Sequence, residues 1–114
     1  MKTAMPKFPE IEYSSRETLI AHQSKQLATL IGGLLGRNPF YTKKLARANV
    51  DVKQLSFPND LSSLPFTTKS ELVADQTTAP PWGTALSEPI THYTRYNQTS
   101  STTGTPLRWI DTAE

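Results

Sequence analysis

Eight consecutive residues, Thr99-Ser100-Ser101-Thr102-Thr103-Gly104-Thr105-Pro106, concentrate the groups best able to hold an anion. Five side-chain hydroxyls precede a glycine, and one more hydroxyl and a proline follow it. Hydroxyls donate hydrogen bonds to phosphate-type oxygens, and successive backbone N–H groups can converge on the same ion. Glycine lets the main chain come close or take positive φ, and proline sets the exit direction. The Gly-x-x-x-x-Gly-Lys-[Ser/Thr] spacing of a Walker loop is absent, and no helical pattern follows. A polar hairpin turn has the same make-up, so residue types alone leave both readings open.

Other reactive side chains are less concentrated. His92 lies on a predicted strand, where a lone histidine is ordinarily structural or exposed. Trp82, Tyr93, Tyr96 and Trp109 could line an aryl pocket, although aromatics at strand and turn positions usually pack a core. Lys69 follows a predicted helix cap and reads as solvent-exposed. Lys43, Lys44 and Arg47 fall at helical spacing and read as a solvated face rather than an anion patch. None of these enters the candidate site, which is the loop itself: Thr99, Ser100, Ser101, Thr102, Thr103 and Gly104. No catalytic residue and no metal ligand is assigned.

The elements that must position this loop follow from periodicity and punctuation. Residues 1–13 contain two prolines and no repeat, and read as an irregular arm. Ser14 and Glu17 form a capping-box pattern ahead of Leu19, Ile20, Leu27, Leu30, Ile31, Leu34 and Leu35, which recur on one helical face. Gly32 and Gly33 within that helix suggest close packing or a fraying end, with Gly36 as the stop. Asn38-Pro39 opens a second helix bearing Phe40, Tyr41, Leu45 and Ala48, so the pair forms a helical hairpin.

From Val50 to Leu64 the pattern suits single helical turns anchored by Leu55, Phe57, Leu61 and Leu64. Thr68 and Glu71 then cap a short helix running from Lys69 to about Asp75. Ala79-Pro80-Pro81-Trp82-Gly83 must extend or turn. Ile90–Asn97 and Leu107–Ile110 read as strands flanking the loop. The expected class is α+β: a helical subregion over 14–76, then opening strands over 77–114 with the loop at 99–106, all in one incomplete unit.

The loop resembles the Ser/Thr/Gly-rich ATP-phosphate loop of adenylate-forming enzymes, commonly Thr/Ser-Ser-Gly-Thr-Thr-Gly-x-Pro. Thr99, Ser100, Thr102, Thr103, Gly104 and Pro106 match that pattern, while Ser101 replaces its first glycine and Thr105 a common lysine. Asn38-Pro39-Phe40-Tyr41 and Leu64-Pro65-Phe66-Thr67-Thr68-Lys69-Ser70-Glu71-Leu72 resemble the phenylacetate-CoA ligase branch in particular, and the likeness runs from about Ser14 to Asp111. It implies the N-terminal portion of an ATP-dependent acyl- or aryl-CoA ligase, with ATP, Mg²⁺ and coenzyme A serving the full-length parent. The parent's substrate would be a carboxylic acid, aromatic acids included, and a homodimer is allowed. The loop would hold the β- and γ-phosphates. The 114 residues alone are expected to be inactive, since motifs for adenine, ribose and acid are missing.

Bulk properties narrow the alternatives. The 114 residues carry twelve Lys and Arg against ten acids, a net charge of +2, with no basic run to suggest nucleic acid. Cysteine is absent, which rules out disulfides and thiolate metal sites. No stretch approaches the ~20 apolar residues of a membrane span, and the prolines near the N-terminus do not suit a signal peptide; a cytoplasmic location is expected. Two rivals stay open: an adenylating enzyme with an amine, cofactor or carrier thiol as acceptor, and a small helical interaction module whose Ser/Thr loop is only a turn.

Overall fold

The computed structural model describes residues 10–100 and 104–113. Among them, three α-helices and several single 3-10 turns precede a two-stranded antiparallel sheet, an α+β arrangement with the helices first. Helix α1 spans Arg16–Leu34, α2 Pro39–Arg47 and α3 Lys69–Thr78; strand β1 spans Tyr93–Gln98 and β2 Arg108–Thr112.

Helix α1 is capped one residue later than its sequence suggests. The Oγ of Ser15, not Ser14, accepts from the Thr18 N–H at 3.3 Å and donates to the Thr18 hydroxyl. Neighbouring serines offer the same chemistry, but the Ser14 hydroxyl donates back to the Glu10 carbonyl, whereas Ser15 meets both the N–H and the hydroxyl of Thr18. At the other end Gly36 takes φ +74°, a left-handed value that glycine adopts at little cost. Gly32 and Gly33 do not mark close packing: a Cβ built on either meets nothing within 4 Å. The apolar stripe of α1 is correspondingly open, with Ile31 buried but Leu30 62% exposed.

A compact joint links α1 to α2. The carbonyl of Leu34 accepts from Arg37 N–H, Asn38 N–H and the Thr42 hydroxyl, while Thr42 Oγ1 accepts from Gly36 N–H at 3.0 Å. Asn38 caps α2 as expected, its Oδ1 accepting from Tyr41 N–H at 3.2 Å with Pro39 at the first helical position. Its amide nitrogen donates to Ser87 Oγ at 3.1 Å, which satisfies a side chain only 3% exposed.

Single 3-10 turns at Val52–Gln54 and Asn59–Ser63 fill the next stretch, but Leu61 is half exposed rather than an inward anchor. The capping box at α3 is complete: Thr68 Oγ1 accepts from Glu71 N–H, and Glu71 Oε2 accepts from Thr68 N–H. Strand β1 starts at Tyr93, because Ile90–His92 forms a 3-10 turn closed by His92 N–H to the Pro89 carbonyl. The register pairs Tyr96 with Ile110, Asn97 with Trp109 and Gln98 with Arg108, with an irregularity between Tyr93 and Arg95.

Among the described residues the buried hydrophobic side chains are Ile31 and Leu45. Around α3, polar contacts add to partly exposed apolar ones such as Leu72, Trp82 and Leu107. Asp75 accepts from Thr84 N–H and from its hydroxyl, both at 2.6 Å, and Gly83 at φ +71° passes so close that a Cβ there would meet Asp75 Oδ2 at 2.3 Å. No described helix is long and apolar enough to cross a membrane.

Candidate phosphate loop

Strands β1 and β2 deliver the two ends of the loop side by side. Thr99 N–H donates to the Leu107 carbonyl at 2.9 Å, and Leu107 N–H donates to Thr99 Oγ1 at 2.8 Å. The Thr99 hydroxyl in turn reaches the Leu107 carbonyl at 3.4 Å. Residue 99 is thus engaged as the clamp at the loop's base. Ser100 is exposed, and Ser101, Thr102 and Thr103 lie outside the described residues. Gly104 is exposed at φ +149°, with nothing within 4 Å of where a Cβ would sit. At that φ an L side chain would be strained although space for it is free, so the position favours glycine through its backbone.

Helix α3 lies beside the loop. Lys69, Ser70, Val73 and Ala74 share a surface depression of about 360 Å³ with Gly104 and Thr105. Two segments far apart in sequence, the Leu64–Leu72 motif and the Ser/Thr/Gly loop, thereby meet in space. On the far side of the loop's base, Gln76 of α3 receives Arg108 N–H at 3.0 Å and donates its amide nitrogen to the Arg108 carbonyl.

Charge at the start of α3 is organised by Glu71. Lys44 Nζ lies 2.5 Å from Glu71 Oε1, with only 12% of the Lys44 side chain exposed, so Lys44 is not part of a solvated face. Lys44, and after it the Thr68 backbone N–H, hold the Glu71 carboxyl well below its ordinary value, at about 2. Lys44 also sits 5.8 Å from the centre of the Phe40 ring. Sequence patterns could find the cap at Thr68 but not the partner 27 residues upstream.

The remaining candidates divide. Tyr93 is a structural anchor whose hydroxyl accepts from Ser87 and Glu88 N–H at 3.2 Å each. Trp82 packs edge-on to Tyr96 at 5.5 Å and, with Trp109, lines a cavity of about 210 Å³ between α3 and β2. Tyr96 and Trp109 are themselves largely exposed and not core. His92 is exposed and lies 3.4 Å from Glu88, whose other oxygen meets Arg37. Among the described residues no group of three or more His, Asp or Glu could hold a metal ion.

No protein-family model matches the chain. It is 36% identical over 98 residues to a phenylacetate-coenzyme A ligase of Thermus thermophilus, a match covering 86% of this chain and 21% of that protein. The chain therefore spans about a fifth of that relative's length. Solved structures of 2-hydroxyisobutyryl-CoA ligase share the fold. One, an open conformation with 2-HIB-AMP and CoA, superposes with a TM-score of 0.82 at 21% identity over 92% of this chain and 24% of that one. Another, in the thioesterification state, gives 0.82 at 23% identity over 92% and 22%.

Proposed function

Because the chain belongs to the phenylacetate-CoA ligase family of adenylate-forming enzymes, we propose that it supplies the phosphate-holding part of an acid–thiol ligase. The reaction is activation of a carboxylic acid by ATP followed by transfer to coenzyme A. A carboxylate oxygen bonds to the α-phosphorus of ATP, the bond to the β-phosphate oxygen breaks, and pyrophosphate leaves with the electron pair. A thiolate then attacks the acyl carbon and AMP departs. The observation that carries this reading is the 36% identity to a ligase of that name, spread over 86% of the chain. The open backbone at Gly104 supports placing the anion there.

In this reading Thr99 holds the loop closed while the hydroxyls of Ser100, Ser101, Thr102 and Thr103, with the main chain at Gly104, donate to the β- and γ-phosphates. Mg²⁺ would arrive with the nucleotide and neutralise charge on the departing pyrophosphate. Donors that meet the developing charge without rearranging as the bond breaks would lower the barrier to adenylation. The 114 residues alone are read as inactive, and the complete protein as cytoplasmic.

The test is adenylation by the complete gene product, measured as acid-dependent ATP–pyrophosphate exchange. Thr102→Ala and Thr103→Ala should each slow it by ~10–1,000-fold while acid binding holds nearly constant. Gly104→Ala should be at least as harmful, through its backbone. If all three variants stay folded and within about twofold of the parent, the loop is a polar turn. Exchange by the 114-residue chain itself would overturn its inactivity.

A further inference from the structure

The loop's outgoing foot is held from both sides by groups of different origin. On one side Thr99 grips Leu107 through backbone and hydroxyl. On the other, Gln76 meets both polar groups of the next residue, accepting from Arg108 N–H and donating to its carbonyl. A primary amide presents an N–H and a carbonyl oxygen side by side in a single plane, the pairing a neighbouring strand would offer. Gln76 thus stands in for one residue of a third strand, but it is anchored to a helix. Leu72, Trp82 and Leu107 line the cavity around it, and hydrogen bonds in such apolar surroundings are stronger than in water.

The helix is itself fixed on this side. Asp75, the residue before Gln76, binds Thr84 through two hydrogen bonds of 2.6 Å, so α3 cannot rotate without breaking them. Rigidity is thereby passed from the 83–84 turn through α3 to Arg108, and from Arg108 to the residues that end the loop.

We propose that Gln76 is a positioning residue for the anion loop, fixing the outgoing foot and hence the direction in which the main chain at Gly104 faces its ligand. The inference rests on the reading of the loop as the pyrophosphate-holding segment. Anion capture by main-chain N–H groups depends on their relative placement, and displacements of about 1 Å can cost roughly 100-fold. A foot released from Gln76 would no longer fix the main chain that leads back to Gly104.

The experiment titrates the ¹⁵N-labelled complete gene product with magnesium pyrophosphate and follows the amides of Ser100, Gly104 and Arg108. Gln76→Met keeps the volume and removes both hydrogen bonds; it should weaken pyrophosphate binding by about 10- to 100-fold and speed hydrogen exchange at Arg108. Gln76→Glu supplies the discriminating readout. Its protonated carboxyl can still accept from Arg108 N–H and donate to the carbonyl, whereas its carboxylate can only accept and faces that carbonyl with like charge. Its affinity relative to the unmodified protein at the same pH should therefore fall as pH rises through the carboxyl's titration. Arg108 and Tyr41, which line the same cavity, and the neighbouring Asp75 are the groups that bias that midpoint. Binding by Gln76→Met within twofold of the unmodified protein overturns the proposal, as does a pH-independent ratio for Gln76→Glu should the methionine variant misfold. Absence of pyrophosphate-dependent shifts in the unmodified protein overturns the loop assignment, and this inference with it.

Discussion

Glu71 performs two tasks with one carboxylate. It closes the capping box with Thr68 and binds Lys44 across to α2, and both interactions favour its ionised form. A carboxyl whose folded pKa is depressed stabilises the fold above its unfolded pKa and loses that contribution as pH falls through the folded value. For Glu71 the window runs from the ordinary 4.5 down to about 2. Thermal melts should thus be insensitive to this group near neutrality and decline with acidification across that window. In Lys44→Met the Glu71 carboxyl, followed by side-chain carbon NMR, should titrate closer to 4.5 while staying below it through the remaining Thr68 bond. An unchanged titration in that variant would show that Lys44 is not the cause.

At the scale of elements, Asn38 joins the start of α2 to the segment ahead of β1 by capping Tyr41 N–H and donating to Ser87. Asn38→Ala leaves a helix donor and a serine hydroxyl without their partners in a site that is 3% exposed. Losing a cap typically costs ~1 kcal/mol and an unsatisfied buried group about 1–3 kcal/mol. Urea unfolding should record a loss of that order, and a change under about 0.3 kcal/mol would mean that water replaces both bonds. This cap was legible from Asn38-Pro39, as α3 was from Thr68 and Glu71, because caps are local chemistry within three residues. The stripe of α1 predicted a helix correctly but not its burial, since periodicity names a face without naming a neighbour. Pairings such as Lys44–Glu71 and Gln76–Arg108 join residues 27 and 32 positions apart, and no local pattern encodes them. The loop was recognisable by composition, whereas the commitment of Thr99 to its base required the strand register.

For the molecule as a whole, surface outweighs interior. The chain exposes 9027 Å², against roughly 6,200 Å² for a folded monomer of its mass. Its radius of gyration of 17.1 Å exceeds the ~13 Å of a compact chain of this length. Leu30, Phe66, Ile90 and Trp109 contribute apolar area to that surface. The isolated 114 residues should therefore unfold with a broad transition and associate with rising concentration, as sedimentation velocity and calorimetry can establish; a monomer with one sharp melt would refute this. The form of any association is constrained by Gln76. It occupies the outward N–H and carbonyl of Arg108, so an incoming strand cannot template on the start of β2. It must add along the outer edge of β1 or enter β2 beyond Arg108. The two-stranded sheet consequently has a polarity of growth, with one end of one margin sealed by a helix and the other margin available for extension.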